Sequence, residues 1–271
     1  MKNLIIVRGA GDISTGTIHR LFRAGFHVLA LETARPSAIR RWVAFSEAVY
    51  DGAATVEGVT AVRIESVEKV GETLSCGSIP LLIDPAGESI ERLRPAAVVD
   101  AILAKRNLGT HRGMAPLTIA LGPGFVAGQD VDYVIETMRG HDLGRIISDG
   151  CAAPNTGVPG LIAGYGAERV IHAPVAGVFR MCRDIGSVVE AGEVIGTVGE
   201  TPACTKIAGI LRGVLRDGYE VTKGFKLADV DPRREQLKNC GTISDKARCI
   251  AGSVLELICA AQASRNRRPF E

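Results

Sequence analysis

The stretch Asn3-Leu4-Ile5-Ile6-Val7-Arg8-Gly9-Ala10-Gly11-Asp12-Ile13-Ser14-Thr15-Gly16 decides the fold. Its first half is a continuous apolar run, the pattern of a strand buried on both faces of a parallel sheet. Glycines follow at once, and then Ile18, Leu21, Phe22 and Gly25 fall at helical spacing. His27-Val28-Leu29-Ala30-Leu31 reads as a second strand, closed by Glu32. The order is strand, glycine turn, helix, strand, acidic residue, which is the context of a dinucleotide-binding fingerprint. In that frame Gly9 permits the tight turn and Gly11 lets backbone approach a phosphate. The helix N-terminus offers free N–H groups to an anion, and Glu32 would accept hydrogen bonds from ribose hydroxyls. Two residues depart from the pattern. Ser14 stands where the third glycine belongs, with Gly16 two residues later. Asp12 places a negative charge beside the phosphate site, and reads equally well as a helix cap.

Further apolar runs continue the alternation at 61–64, 79–84, 96–101, 117–121 and 133–136, with a short helix over 66–75. The expectation is a Rossmann-like parallel sheet over residues 1–150 with helices on both faces. In such sheets strand C-termini rim the ligand crevice. That rule gathers Asp12, Glu32, Asp84, Asp100, Gly122, Gly124 and Glu136 on one edge. Lys105, shortly after Asp100, suits a phosphate contact or a surface ion pair. His141 beside Asp142 suits proton transfer, or these charges hold a structural loop. Residues 151–168 form a connection rich in glycine and proline, either a linker or a loop over the cleft. Cys151 lies there, away from any apolar periodicity, and is the best candidate for a reactive thiol. The candidate catalytic residues are thus Cys151, His141 and Asp142. The candidate ligand contacts are Gly9, Gly11, Asp12, Glu32, Asp100, Lys105, Gly122 and Gly124. No metal site is expected.

Residues 169–232 carry an internal repeat. Adding 32 to Ala176-Gly177-Val178, Gly186, Val189 and Gly192 gives Ala208-Gly209-Ile210, Gly218, Val221 and Gly224. Glycine spacing repeated in this way marks a duplicated unit. The pattern looks like a biotinyl/lipoyl-type barrel-sandwich. The link between its halves has no Met-Lys-Met, so a scaffold or docking module is favoured over a carrier. Residues 233–271 read as a helix begun by Ser244 and Asp245, then a polar tail over 264–269 that is expected to be disordered.

Composition narrows the class. Lys and Arg total 32 against 30 Asp and Glu, for a net charge of +2, which gives no footprint for a polyanion. Aromatics are only 4%, against a reader that stacks bases. Nucleic acid and membrane are therefore not expected as partners. With no export signal or long apolar span, the expected location is cytoplasmic. The seven cysteines include no Cys-x-x-Cys pair, so they read as reduced and mostly buried thiols.

The longer motifs Arg8–Asp12, Phe45–Tyr50, Asp100–Asn107, Leu121–Gly128, Ile135–Arg145, 155–160, Asp231–Arg233 and Thr242–Arg248 stand out along the chain. Together they resemble the YqeB family, which is tied to the selenium-dependent molybdenum hydroxylase system. The resemblance implies an accessory role in maturing such a hydroxylase. Its partners would be the hydroxylase or its maturation proteins, together with a small-molecule ligand. A homo-oligomer is left open. The cofactor is unassigned among a nucleotide, NAD and a molybdopterin. Cys151 would be the first thiol to carry selenium. An NAD-dependent oxidoreductase and a non-catalytic docking scaffold stand as alternatives.

Overall fold

A nine-stranded sheet runs through the first of two units into which the chain divides. The computed structural model describes residues 3–157 and 160–266, with the side chains of 265 and 266 set aside. The first unit draws on Met1–Pro36, Phe45–Asn155 and Ile243–Glu271, and the second on Ser37–Ala44 and Thr156–Thr242.

In the first unit the strands are β1 (Leu4–Arg8), β2 (His27–Glu32), β3 (Ala53–Val56), β4 (Val59–Ile64), β5 (Ile79–Ile83), β6 (Ala97–Asp100), β7 (Thr118–Leu121), β8 (Val126–Ala127), β9 (Tyr133–Ile135), β10 (Ile146–Ile147) and β11 (Gly150–Cys151). The helices are α1 (Asp12–Arg23), α2 (Ala48–Asp51), α3 (Val70–Ser75), α4 (Glu88–Leu93) and α5 (Asp245–Asn266). The large sheet has the order β10-β9-β7-β6-β1-β2-β5-β4-β3, and β8 pairs with β11 apart from it. β1 lies near the middle, parallel to β2 and β6, with all five residues buried. That burial on both faces is why the apolar run is unbroken. Leu4 and Ile6 share a cluster with Leu29, Val98, Val70 of α3 and Ile90 of α4. Each such side chain contributes roughly 1.5–3 kcal/mol by leaving water.

The expected fold class needs correction. The sheet is mixed: β3 runs antiparallel to β4 at one edge, and β10 antiparallel to β9 at the other. The β3–β4 hairpin turns on Glu57 and Gly58, both with positive φ, at 44° and 78°. That is the geometry of a two-residue turn matched to strand twist. Helices also fail to alternate with strands. The β6–β7 connection holds only a 3-10 turn at Arg112–Met114, and β7 reaches β9 through β8 without a helix. A short apolar run shows that a strand is present but does not encode its direction, so the parallel Rossmann-like reading went too far.

α5 takes the place of a crossover helix and packs along α1. A Cβ on Gly16 would stand 2.7 Å from Ala247 Cβ and 3.1 Å from the Ala247 carbonyl. Further along, a Cβ on Gly252 would lie 3.8 Å from Arg20 Nη1. Residue 16 faces 247 and residue 20 faces 252, so the two helices run in the same direction. Both therefore begin at the sheet edge where β1 ends. α5 continues to Asn266, so the first residues of the expected disordered tail are helical. Residues 267–269 of that tail lie outside the described residues.

In the second unit the strands are β12 (Val170–His172), β13 (Gly177–Met181), β14 (Val188–Val189), β15 (Val194–Val198), β16 (Thr201–Cys204), β17 (Gly209–Val214), β18 (Glu220–Val221) and β19 (Lys226–Asp231). They form two four-stranded sheets, β12-β19-β17-β14 and β16-β15-β13-β18. The starts of β13, β14 and β15 reappear 32 residues later as those of β17, β18 and β19. The short strand of each copy pairs with the long strand of the other, β14 with β17 and β18 with β13. The barrel-sandwich expectation is corrected here too. Two separate antiparallel sheets with exchanged strands are seen, and a segment from early in the chain completes the unit. Val214 N–H donates to the Ile39 carbonyl at 2.8 Å, Arg41 Nε donates to the Val214 carbonyl at 2.9 Å, and Arg40 Nη2 donates to the Thr242 carbonyl at 3.0 Å. Periodicity could not reveal this segment, because residues 37–44 form no regular strand.

The helix contact yields a paired prediction. Gly16→Ala should destabilise the protein by about 1–3 kcal/mol through overpacking. Gly252→Ala has room and should be neutral or stabilising by up to about 1 kcal/mol through helix propensity. Denaturant midpoints of the two variants check the contrast.

Candidate functional site

The C-terminal ends of the central strands carry most of the chemistry. Gly9 leaves β1 with φ 95°, and its N–H donates to the Leu31 carbonyl at 2.7 Å. A Cβ there would sit 2.8 Å from the Ala101 carbonyl oxygen, so the exits of β1 and β6 press together. Gly11 is the N-cap of α1, and no side chain caps the first turn. Its amides keep the partial positive charge of a helix start. Asp12 is the first residue of α1. Glu32 is tied to the same turn, accepting the Ala10 N–H at 2.7 Å and the Thr33 N–H at 2.8 Å. Burial raises its pKa above the ordinary value, against the opposing pull of those two N–H groups. A ribose hydroxyl at Glu32 would have to compete with these backbone bonds.

Asp100 ends β6 in a buried polar cluster that sequence reasoning did not assemble. The Arg8 guanidinium donates to the Thr110 hydroxyl and to the Pro85 carbonyl. Thr110 in turn donates to Asp100, which stands 3.9 Å from Arg8. Burial raises the Asp100 pKa although Thr110, the Ile102 N–H and Arg8 all oppose it. Arg8 and Asp100 are both about 2% exposed or less, so removing either would strand a buried charge. The cluster ties the loops after β5 and β6 to β1. Asp84 serves nearby as a cap, accepting three backbone N–H groups from 87–89 at the start of α4.

The remaining candidates divide between the edge and the solvent. A Cβ on Gly124 would lie 2.6 Å from Arg106 Cα and 2.8 Å from the Lys105 carbonyl carbon, so the Gly124 turn rests on the Lys105 loop. Gly122 is pressed against Thr137 Oγ1, at 2.6 Å from a Cβ placed there. Lys105 itself is exposed. His141 and Asp142 are exposed, and Asp142 pairs with Arg145 at 2.7 Å. Among the described residues no hydrogen bond joins it to His141. Cys151 is exposed in β11. The Glu136 carboxylate holds its segment near the end of β9, accepting N–H groups from Thr137, Met138 and Ala153, each at 2.7 Å. Val158 and Pro159, in the same expected loop, lie outside the described residues. All seven cysteines are free, but only Cys240 is buried, so the expectation of mostly buried thiols is corrected.

Lys246 is the residue the sequence gave no reason to single out. It sits in the first turn of α5, next to the Ala247 that meets Gly16. Burial pushes its pKa below the ordinary lysine value and Arg139 adds to this, while Asp12, Glu136 and Asp245 pull the other way. Its helix start is fixed from three sides. Ser244 Oγ accepts the Ala247 N–H at 3.2 Å. Arg139 makes a two-pronged pair with Asp245 at 2.7 and 2.9 Å. Glu57 accepts the Ile243 N–H at 2.9 Å and the Arg248 guanidinium at 2.6 Å. Only the Ser244 cap was visible in the sequence. Among the described residues no group of three or more His, Cys, Asp or Glu is placed to hold a metal ion. Among them, too, no helix is long and apolar enough to cross a membrane.

No protein-family model matches the chain. Over 255 residues, 94% of its length, it is 51% identical to the protein of Escherichia coli strain K12 described as uncharacterized protein YqeB. The chain spans about half of that relative's length, 47%. Among solved structures it is similar to the ectoine utilization protein EutE (DoeB) of Ruegeria pomeroyi, at 12% identity and a TM-score of 0.26, covering 84% of this chain and 85% of that one. It is also similar to a succinylglutamate desuccinylase/aspartoacylase of Rhodobacter sphaeroides, at 14% identity and a TM-score of 0.27, covering 86% of each. Likenesses of that size are too weak to carry a fold or a reaction.

The Glu57 contacts give a pH prediction. Burial works upward on its pKa, but the Ile243 N–H and Arg248 outweigh burial, and the value lies below the ordinary 4.5. Such a group stabilises the fold above its unfolded pKa, and the contribution is lost as pH falls through the folded one. Glu57→Gln should therefore cost roughly 0.5–1 kcal/mol near neutral pH, the size of a solvent-screened pair. The deficit should close below about pH 4. Urea denaturation at several pH values measures it.

Proposed function

We propose that this chain is an accessory factor in maturing a selenium-dependent molybdenum hydroxylase. In this reading it binds a nucleotide or a molybdopterin-type ligand through phosphate at the C-terminal edge of the large sheet. The observation that carries the reading is the uncapped first turn of α1 directly after Gly9-Ala10-Gly11. Backbone N–H groups at such a turn suit a phosphate without any side chain, and the missing Cβ atoms let the ligand come close. Gly122, Gly124 and the Lys105 loop would form the neighbouring wall. The likeness to YqeB over 94% of the chain supports the family part of the reading. Exposed Cys151, tethered near β9, is the thiol assigned to selenium. Seven free cysteines agree with a reducing, cytoplasmic setting. The partner would be the hydroxylase or another of its maturation proteins.

Native mass spectrometry of protein purified from its host should find a bound nucleotide or pterin. Gly11→Asp puts a carboxylate where the phosphate would sit, and should abolish that binding while leaving the unfolding transition in place. Equal ligand occupancy in wild type and variant would sink the reading.

A further inference from the structure

Most of the large hydrophobic side chains left exposed among the described residues belong to the second unit. Two of them meet. Trp42, the only tryptophan of the chain, and Leu237 are each nearly half exposed. They converge over Gly186, where an added Cβ would lie 3.2 Å from the Trp42 ring and 3.4 Å from Leu237 Cδ1. Val188, two residues further on, is half exposed in β14. β14 pairs with β17 and ends its sheet, so among the described residues no strand of that sheet covers its other side. Natural sheets guard such an edge with charge or proline, whereas this one runs beside a tryptophan and a leucine. An aromatic and an aliphatic anchor side by side have the makeup of an interface centre.

We infer that this patch is the interface between two copies of the chain. Two features favour a copy over a foreign protein. The first is charge. Arg41, next to Trp42, pairs with Asp184, and Arg234, at the start of the 3-10 turn that carries Leu237, pairs with Glu190. Asp184 and Glu190 bracket Gly186 and Val188 in sequence. The rim thus holds two bases and two acids, with a pair of opposite sign beside each apolar anchor. In a two-fold contact a surface meets itself, so a rim of one sign would repel its own copy. This mixed rim can exchange partners across the axis instead. The second feature is the edge. Antiparallel pairing of β14 with its own copy is two-fold by construction, and would give its outer N–H and C=O groups partners. The inference is independent of the phosphate-binding reading, because every residue it uses belongs to the second unit.

Sedimentation velocity of the full chain should show a dimer that dissociates on dilution. Trp42→Glu and Leu237→Glu each bring a carboxylate to the centre of the contact, and each should weaken dimerisation by at least about thirtyfold. Circular dichroism checks that both variants are folded. Ile83→Glu, at an exposed apolar residue of the first unit, should dimerise as wild type does. A further reading needs no variant and holds even if one fails to fold. With Trp42 the only tryptophan, its emission should move to longer wavelength as the dimer is diluted apart. Wild type that stays monomeric up to about 0.1 mM would overturn the inference. So would a dimer undiminished in both variants, an emission unchanged across dissociation, or a different protein shielding Trp42 of a monomeric chain.

Discussion

The close approach of α1 and α5 at Gly16 and Ala247 is the constraint on which the rest of the first unit depends. Helices can come this near only where a residue lacks a Cβ. Here the missing atom would lie 2.7 Å from its neighbour. The contact joins the first crossover of the chain to its last helix, with the whole second unit inserted between them in sequence. It also fixes the direction of α5, so that its N-terminus lies beside that of α1. A helix arriving the other way would bring its C-terminal carbonyls to the same edge and favour cations instead of anions.

Around that contact the edge is built by satisfying carboxylates with backbone. Glu32 secures the glycine turn, Glu136 the end of β9, Asp84 the start of α4, and Asp100 joins Thr110 and Arg8. These four acids, which composition would count only as negative charge, are thereby engaged in holding loops. Buried polar groups are costly unless paired, and these are paired many times over.

Much of this was legible in the sequence. Leu4–Val7 announced a buried strand because both faces need apolar side chains. Gly9 announced the turn because its backbone, at φ 95° and pressed on Ala101, calls for glycine, whereas Gly11 takes an extended backbone open to any residue. The 32-residue repeat in 176–224 showed directly, and the strand starts of its two copies lie 32 residues apart. What could not be read was direction and distance. The β3–β4 hairpin hinged on Glu57 at positive φ, a conformation that glutamate does not advertise. The insertion of 37–44 into the second unit leaves no periodic trace. The Arg8–Thr110–Asp100 cluster joins residues about a hundred positions apart. Lys246 looked like one of several charges in a helix start, because its partial burial is a tertiary property. Gly16 was read as a misplaced member of the phosphate fingerprint, whereas its work is to admit α5.

The most direct measurement is a crystal structure of the chain grown with pyrophosphate. The account predicts density for the anion against the N–H groups of the first turn of α1. Pyrophosphate ordered elsewhere, with the α1 turn empty, would contradict it.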